Sequence, residues 1–142
     1  MEKLTLQATL DVLGKLRAYV QEAASAAKVD KARTYNLQLA VDEIATNIVT
    51  HGYQEQNRTG DISIQDDVRD GLLTITIEDH GVAFDPRSRA MPREEDLSKP
   101  LEERQIGGLG IYLAVRGVDR FDYRREDDRN VNIFAVKTEQ AP

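Results

Sequence analysis

Apolar residues Leu13, Leu16, Val20, Ala24 and Ala27 recur at helical spacing, which predicts a helix from about Leu10 to Lys28. A second stripe, Leu37, Val41, Ile44 and Ile48, predicts another helix, capped by Asp30 and running to about His51. Ahead of both, "KLTLQA" alternates Leu4, Leu6 and Ala8 and reads as a short strand. After the polar, turn-rich "HGYQEQNRTGD" the period changes to two. "DISIQDDV" and "LLTITIED" read as strands that meet in a hairpin at "RDG". "GGLGIYLAVRGV" returns to helical spacing through Ile111, Ala114, Val115 and Val118. "DRFDYRRE" and "NVNIFAVKT" close the chain as strands joined at "DDRN". The order β, α, α, β, β, long loop, α, β, β groups strands in hairpins with helices able to cover one face. That predicts an α+β two-layer sandwich.

The long loop breaks the pattern. From Gly81 to about Ile106 the chain holds three of its four prolines and many charges, without clear periodicity. Such a span inside a compact domain is usually a functional lid or a disordered loop. The 142 residues suit one domain, 1–142, and neither a repeat nor a linker divides them. The net charge of −6 argues against a nucleic-acid partner, because phosphate neutralisation dominates that affinity. "RFDYRREDDR" concentrates arginine but interleaves it with acids. No run of about 18 apolar residues predicts a membrane span, and the N-terminus lacks the basic and apolar regions of a secretory signal. The expected location is cytoplasmic. With no cysteine, disulfides, thiolate metal sites and cysteine nucleophiles are excluded.

Three segments carry candidate chemistry. In "VDEIATNIVTHGY", Glu43 and Asn47 fall within about 40° of each other on the helix, beside its apolar stripe. A carboxylate there can take a proton from a hydroxyl or water, and an asparagine carbonyl is a hard oxygen ligand suited to Mg²⁺. The plain alternative is a solvated helix flank. His51 falls near the stripe and reads as a half-buried packing residue. In "IEDHGVAFDP", Asp79 ends a strand and Gly81 follows. An ionised aspartate only accepts hydrogen bonds, which suits the exocyclic amine of adenine, and glycine lets the backbone approach a flat ring. A strand-end turn explains the same residues. Phe84 is an aromatic anchor at the mouth of the loop. In "RQIGGLGIYLAV", Gly107, Gly108 and Gly110 lead into a helix whose free amides and dipole favour an anion. A glycine hinge is the alternative, and the pattern is neither a P-loop nor a dinucleotide fingerprint.

Together, and in this order, the segments resemble the ATP-binding fold shared by DNA gyrase and histidine kinases, the Bergerat or GHKL fold. "LAVDEIATNIVTHGY", "FDP", "PLEERQIGGLGIYL" and "NVNIFAVK" are most similar to the small bacterial anti-sigma-factor serine kinases. The resemblance covers nearly the whole chain. It implies a mixed, mainly antiparallel sheet covered on one face by helices, with an ATP lid at about 85–106. It also implies Asn47 as a ligand of Mg²⁺ bridging the phosphates and Glu43 as the general base. Asp79 would bind the adenine amine, Gly81 would flank the base, and Gly107, Gly108 and Gly110 would give amides to the phosphates. Arg104 would be a cation for the terminal phosphate. Unlike histidine kinases, the sequence shows no upstream dimerisation helix bearing a phosphoacceptor histidine.

The resemblance further implies a protein serine/threonine kinase using ATP and Mg²⁺. Its substrate would be a serine on an anti-anti-sigma (STAS-type) protein, and it would hold a sigma factor or similar regulator. Phosphorylation adds about −2 charges at an interface and would break that complex. A homodimer is a further implication. The first helix would be the partner surface, with Arg17 and Glu22 as exposed positions that also read as plain solvated residues. Other readings of the same sequence are an ATP-gated module that sequesters a partner without phosphorylating it, an ATP hydrolase, and a nucleotide-free domain.

Overall fold

The computed structural model describes residues 1–89 and 108–139. Strand β1 (Leu4–Gln7) leads through a 3₁₀ turn at Leu10–Val12 into α1 (Leu13–Ala26) and α2 (Lys31–Asn47). Strands β2 (Asp61–Arg69) and β3 (Leu72–Asp79) follow, then α3 (Gly108–Gly117), β4 (Arg120–Glu126) and β5 (Arg129–Lys137). The sheet order is β1-β2-β3-β5-β4. Every pairing among the described residues is antiparallel, so the expected mixture reduces to its main component. The α+β two-layer sandwich is as predicted.

Local sequence sets the boundaries. The Asp30 carboxylate accepts from the Arg33 amide at 2.7 Å and caps α2 as expected. The β2–β3 turn is Asp70-Gly71, with φ of 55° and 76°. Both residues are left-handed, as a two-residue type I′ hairpin demands. The last hairpin turns at Asp127-Asp128 rather than across "DDRN", so Arg129 and Asn130 already belong to β5. Asp127 takes φ of 53° there, which lets the strands pair two residues sooner.

Alternation along the strands builds the core. Ile62, Ile64, Leu73, Ile75, Ile77, Phe134 and Val136 face the helices and are fully buried. They meet Leu16 and Val20 of α1, Leu37, Val41 and Ile44 of α2, and Ile111 and Ala114 of α3. Burying each large side chain contributes roughly 2 kcal/mol. The inward rows do not stay apolar to the end. The row on β3 finishes at Asp79, and the row on β5 begins with Asn130 and Asn132, paired opposite Asp79 and Ile77. All three polar residues are almost fully buried. This is where the site forms.

The second predicted helix does not stay α-helical to His51. It ends at Asn47 and widens into a π-helical turn at Ile48–Tyr53. Single π turns inside helices are frequent at functional sites. Here the turn carries Gly52 against the end of β3. Of the expected lid, Pro86–Arg89 forms a 3₁₀ turn, and the rest lies outside the described residues.

Candidate functional site

A narrow cleft, open in part to solvent, lies between the end of α2 and the ends of β3 and β5. Ile44 and Ile48 form its helical wall, while Val82, Phe84 and Pro86 close it from the loop side. Asn47, Asp79, Asn130 and Asn132 supply its polar groups. An apolar slot with a few convergent polar groups is the usual build of a small-molecule site.

Asp79 is the most constrained of these. One carboxylate oxygen, Oδ2, accepts from the Gly81 amide at 2.9 Å and from Asn130 Nδ2 at 3.0 Å. The other, Oδ1, is buried with no hydrogen-bond partner. An unmet buried acceptor ordinarily costs about 1–3 kcal/mol. Burial pushes the carboxyl above its ordinary value, against the lowering effect of Asn130, the Gly81 amide, Arg125 and His80. A donor arriving from the cleft at Oδ1 would relieve the unmet bond.

Gly81 is required by proximity. A Cβ there would stand 2.9 Å from Asp79 Oδ2 and 2.9 Å from the Gly52 carbonyl oxygen. The Val82 amide donates to that same Gly52 oxygen at 3.4 Å, tying the loop to the π turn. Arg125 Nη1 donates to the Gly81 carbonyl at 3.0 Å.

Asn130 is the hub. Its amide nitrogen donates to Asp79 and to the carbonyls of Val82, at 3.0 Å, and Gly81, at 3.4 Å. Its amide oxygen accepts from the Phe84 amide at 3.3 Å and from the Tyr123 hydroxyl. Tyr53 braces the other side. Its hydroxyl donates to the Asp61 carbonyl at 2.8 Å and accepts from the His80 amide at 2.7 Å.

On α2, Asn47 is buried and its amide nitrogen donates to the Glu43 carbonyl at 2.7 Å. The same nitrogen lies 3.4 Å from Glu43 Oε1, so the two side chains meet as their spacing implied. Asn47 lines the cleft with Asp79, whereas Glu43 is half-buried and does not line it. Gly108 and Gly110 fall in the first turn of α3, where backbone N–H groups lack intrahelical partners. Arg104 and Gly107 lie outside the described residues. His51 is half-buried, but its Nδ1 pairs with Glu55 Oε2 at 2.9 Å instead of serving only as packing. Arg17 is exposed and bound to Asp42 of α2 at 2.8 Å.

Asn130, Asn132, Gly52, Tyr53 and Arg125 escaped the reading of the sequence. A signal for two of them existed. In "NVNIFAVK" the inward positions read Asn, Asn, Phe, Val, and asparagine is out of place on the buried face of a central strand.

Residues 6–135 match the family model described as a histidine kinase-like ATPase domain. The chain is 40% identical over 105 residues to "Serine-protein kinase RsbW" of Bacillus cereus (strain AH820), covering 72% of this chain and 62% of that protein. The protein of the same name from Bacillus thuringiensis (strain Al Hakam) is 37% identical over 103 residues, with the same two shares. The chain thus spans less than two thirds of these relatives' length. Among solved structures, the blue-light activated histidine kinase of Erythrobacter litoralis EL346 superposes with a TM-score of 0.55 at 21% identity, covering 88% of this chain and 42% of that one. The histidine kinase AdeS of Acinetobacter baumannii does so with a TM-score of 0.52 at 12% identity, covering 99% and 70%. These structural likenesses speak for the fold. With the family model spanning nearly the whole chain, the protein belongs to the histidine kinase-like ATPase domain family.

Proposed function

We propose that the chain binds ATP in this cleft and transfers its terminal phosphoryl group to a serine of a partner protein. The observation that carries the reading is Asp79 Oδ1, a buried acceptor without a partner in a largely apolar slot. The amine of adenine is a matching donor. Ile44 and Ile48 offer apolar contact to a ring, and Gly81 lets the loop close tightly beside Asp79.

Asn47 fits a magnesium site by its chemistry. Its amide nitrogen is committed to Glu43, which leaves the hard amide oxygen as the ligand. Mg²⁺ is ordinarily held by one or two protein oxygens together with substrate phosphates. When bound, the ion would supply charge neutralisation to the phosphates. The amides of Gly108 and Gly110, at the start of α3, would receive phosphate oxygens. Arg104 and Gly107 are assigned to the same end of the nucleotide.

Glu43 acts as the base in this reading. It accepts the proton of the serine hydroxyl as the serine oxygen bonds to the γ-phosphorus. The bond from that phosphorus to the β–γ bridging oxygen breaks, and ADP leaves. The two relatives named as serine-protein kinases support this choice of reaction. The partner we assign is an anti-anti-sigma protein of the STAS type. Its phosphorylation would release it and leave the kinase free to hold a sigma factor.

Titration calorimetry of ATP with and without Mg²⁺, on the wild-type chain and on Asn47→Ala, tests the site. Magnesium-dependent binding that disappears in the variant is expected. Transfer of labelled phosphate to a serine of a STAS-type protein tests the reaction. Binding without transfer to such proteins would favour an ATP-gated sequestering module, and no ATP binding would sink both readings.

A further inference from the structure

We propose that Asn132 is a second base-reading residue, an acceptor that works beside Asp79 to select the exocyclic amine at the purine 6-position. The inference rests on the nucleotide reading above and adds the group that sets base specificity. Two observations carry it. Asn132 is 1% exposed and lines the same cleft as Asp79. Its Oδ1 is buried with no hydrogen-bond partner, the only such side-chain oxygen besides Asp79 Oδ1 among the described residues.

The sheet register makes the two residues diagonal neighbours. Asp79 pairs with Asn130, and Asn132 lies two positions further along β5 on the same face. Diagonal neighbours of this kind stand about 7 Å apart at their backbones, and their side chains can lean closer. An amino group donates two hydrogen bonds of about 2.9 Å that diverge by about 120°, so its two acceptors sit about 5 Å apart. One amine therefore suits both oxygens at once.

Folding gains nothing from either orphan. Asn130, equally buried beside them, has both its side-chain nitrogen and its side-chain oxygen bonded within the protein. Polar burial in this corner is thus satisfied where the chain alone can do it, and left open at two acceptors whose residues line one slot. A ligand with two adjacent donors completes them. A 6-oxo purine presents a carbonyl oxygen there, and two acceptors facing a third repel it.

The test compares ATP with inosine triphosphate, which differs at the 6-position, on wild type and Asn132→Leu by calorimetry. Leucine replaces the amide with an apolar group of similar size. The expected result is ATP binding about tenfold weaker in the variant, with inosine triphosphate unchanged or tighter, so that discrimination drops at least tenfold. Thermal unfolding without nucleotide should show a midpoint equal to or above that of wild type, because an unmet polar group has been removed. Asn132→Thr, which restores a small acceptor, should recover part of the discrimination. Wild-type discrimination that survives Asn132→Leu overturns the role of Asn132 and leaves the nucleotide site standing. Failure of the wild-type chain to bind ATP overturns both.

Discussion

Asn130 Nδ2 lies 3.0 Å from Asp79 Oδ2, a buried amide-to-carboxylate bond that joins β5 to β3 at the floor of the cleft. Because the acceptor is charged and desolvated, this bond is worth more than a neutral one, about 1.5–3 kcal/mol. Asn130→Ala should therefore destabilise the fold by roughly 2–3 kcal/mol at neutral pH and raise the Asp79 carboxyl further. Urea unfolding at pH 7 and at pH 5 checks this. The deficit should be smaller at the lower pH, where Asp79 is closer to taking up a proton. An equal deficit at both would mean that the loss comes from the Val82 and Phe84 contacts instead.

Asp79 itself links folding and binding in opposite senses. Its carboxyl titrates above the ordinary value of 3.8, burial being the largest cause. The folded state thus takes up the proton before the unfolded state does. Its contribution to stability rises as pH falls through the raised folded value toward 3.8. ATP affinity should fall over the same window, since a protonated carboxyl is a poorer acceptor. Asp79→Asn should remove both trends. It should leave unfolding free energy at pH 7 equal or higher and weaken ATP by roughly 2 kcal/mol, about thirtyfold. A variant that binds ATP as tightly as wild type would reduce Asp79 to a turn residue.

The helices, hairpins and core of this fold were legible because apolar periodicity is a direct trace of burial. Leu16, Val20, Leu37, Val41 and Ile44 are buried as their spacing predicted. The pairing of Glu43 with Asn47 was equally legible, since i and i+4 on a helix are neighbours by geometry. What escaped depends on contacts between distant segments. Gly81 needs to be glycine because Gly52, nearly thirty residues earlier, packs against it through a π turn that no local pattern announces. Asn130 and Asn132 matter because the register of β5 against β3 sets them beside Asp79 and Ile77. Register is a tertiary fact, although two inward asparagines on a buried strand were the available hint.

Gly81→Ala tests the close approach directly. The added methyl would meet a buried carboxylate oxygen held by two hydrogen bonds and a backbone carbonyl, both at 2.9 Å. Something must shift, and overpacking of this kind costs about 1–3 kcal/mol. We expect lower stability in chemical unfolding together with loss of ATP binding, because the displaced loop carries Val82 and Phe84 of the cleft wall. Full ATP affinity in a stable Gly81→Ala chain would show that the loop has slack.

Tyr53→Phe separates bracing from packing. The ring is buried against Gly60 and would remain, while the hydroxyl that joins the Asp61 carbonyl to the His80 amide would go. Two partly buried backbone groups then lose their partner, which should cost about 0.5–1.5 kcal/mol for each bond. ATP affinity should fall modestly, because His80 lies between Asp79 and Gly81. A variant as stable as wild type would mean that water replaces the hydroxyl.

Glu43→Gln isolates the base. A carboxamide keeps an acceptor oxygen near Asn47 Nδ2, now 3.4 Å away, and the bond from the Asn47 side-chain nitrogen to the Glu43 backbone carbonyl is untouched. Asn47 should therefore hold its place, and ATP affinity should stay within about twofold of wild type, well inside the effect of one lost hydrogen bond. The carboxamide cannot accept the serine proton. General-base removal typically costs about 10²- to 10⁴-fold in rate, so phosphoryl transfer should fall by that order while binding persists. Calorimetry and single-turnover transfer on the same preparation give both numbers. Retained transfer would place the base elsewhere, and a parallel loss of binding would make Glu43 a structural support for Asn47.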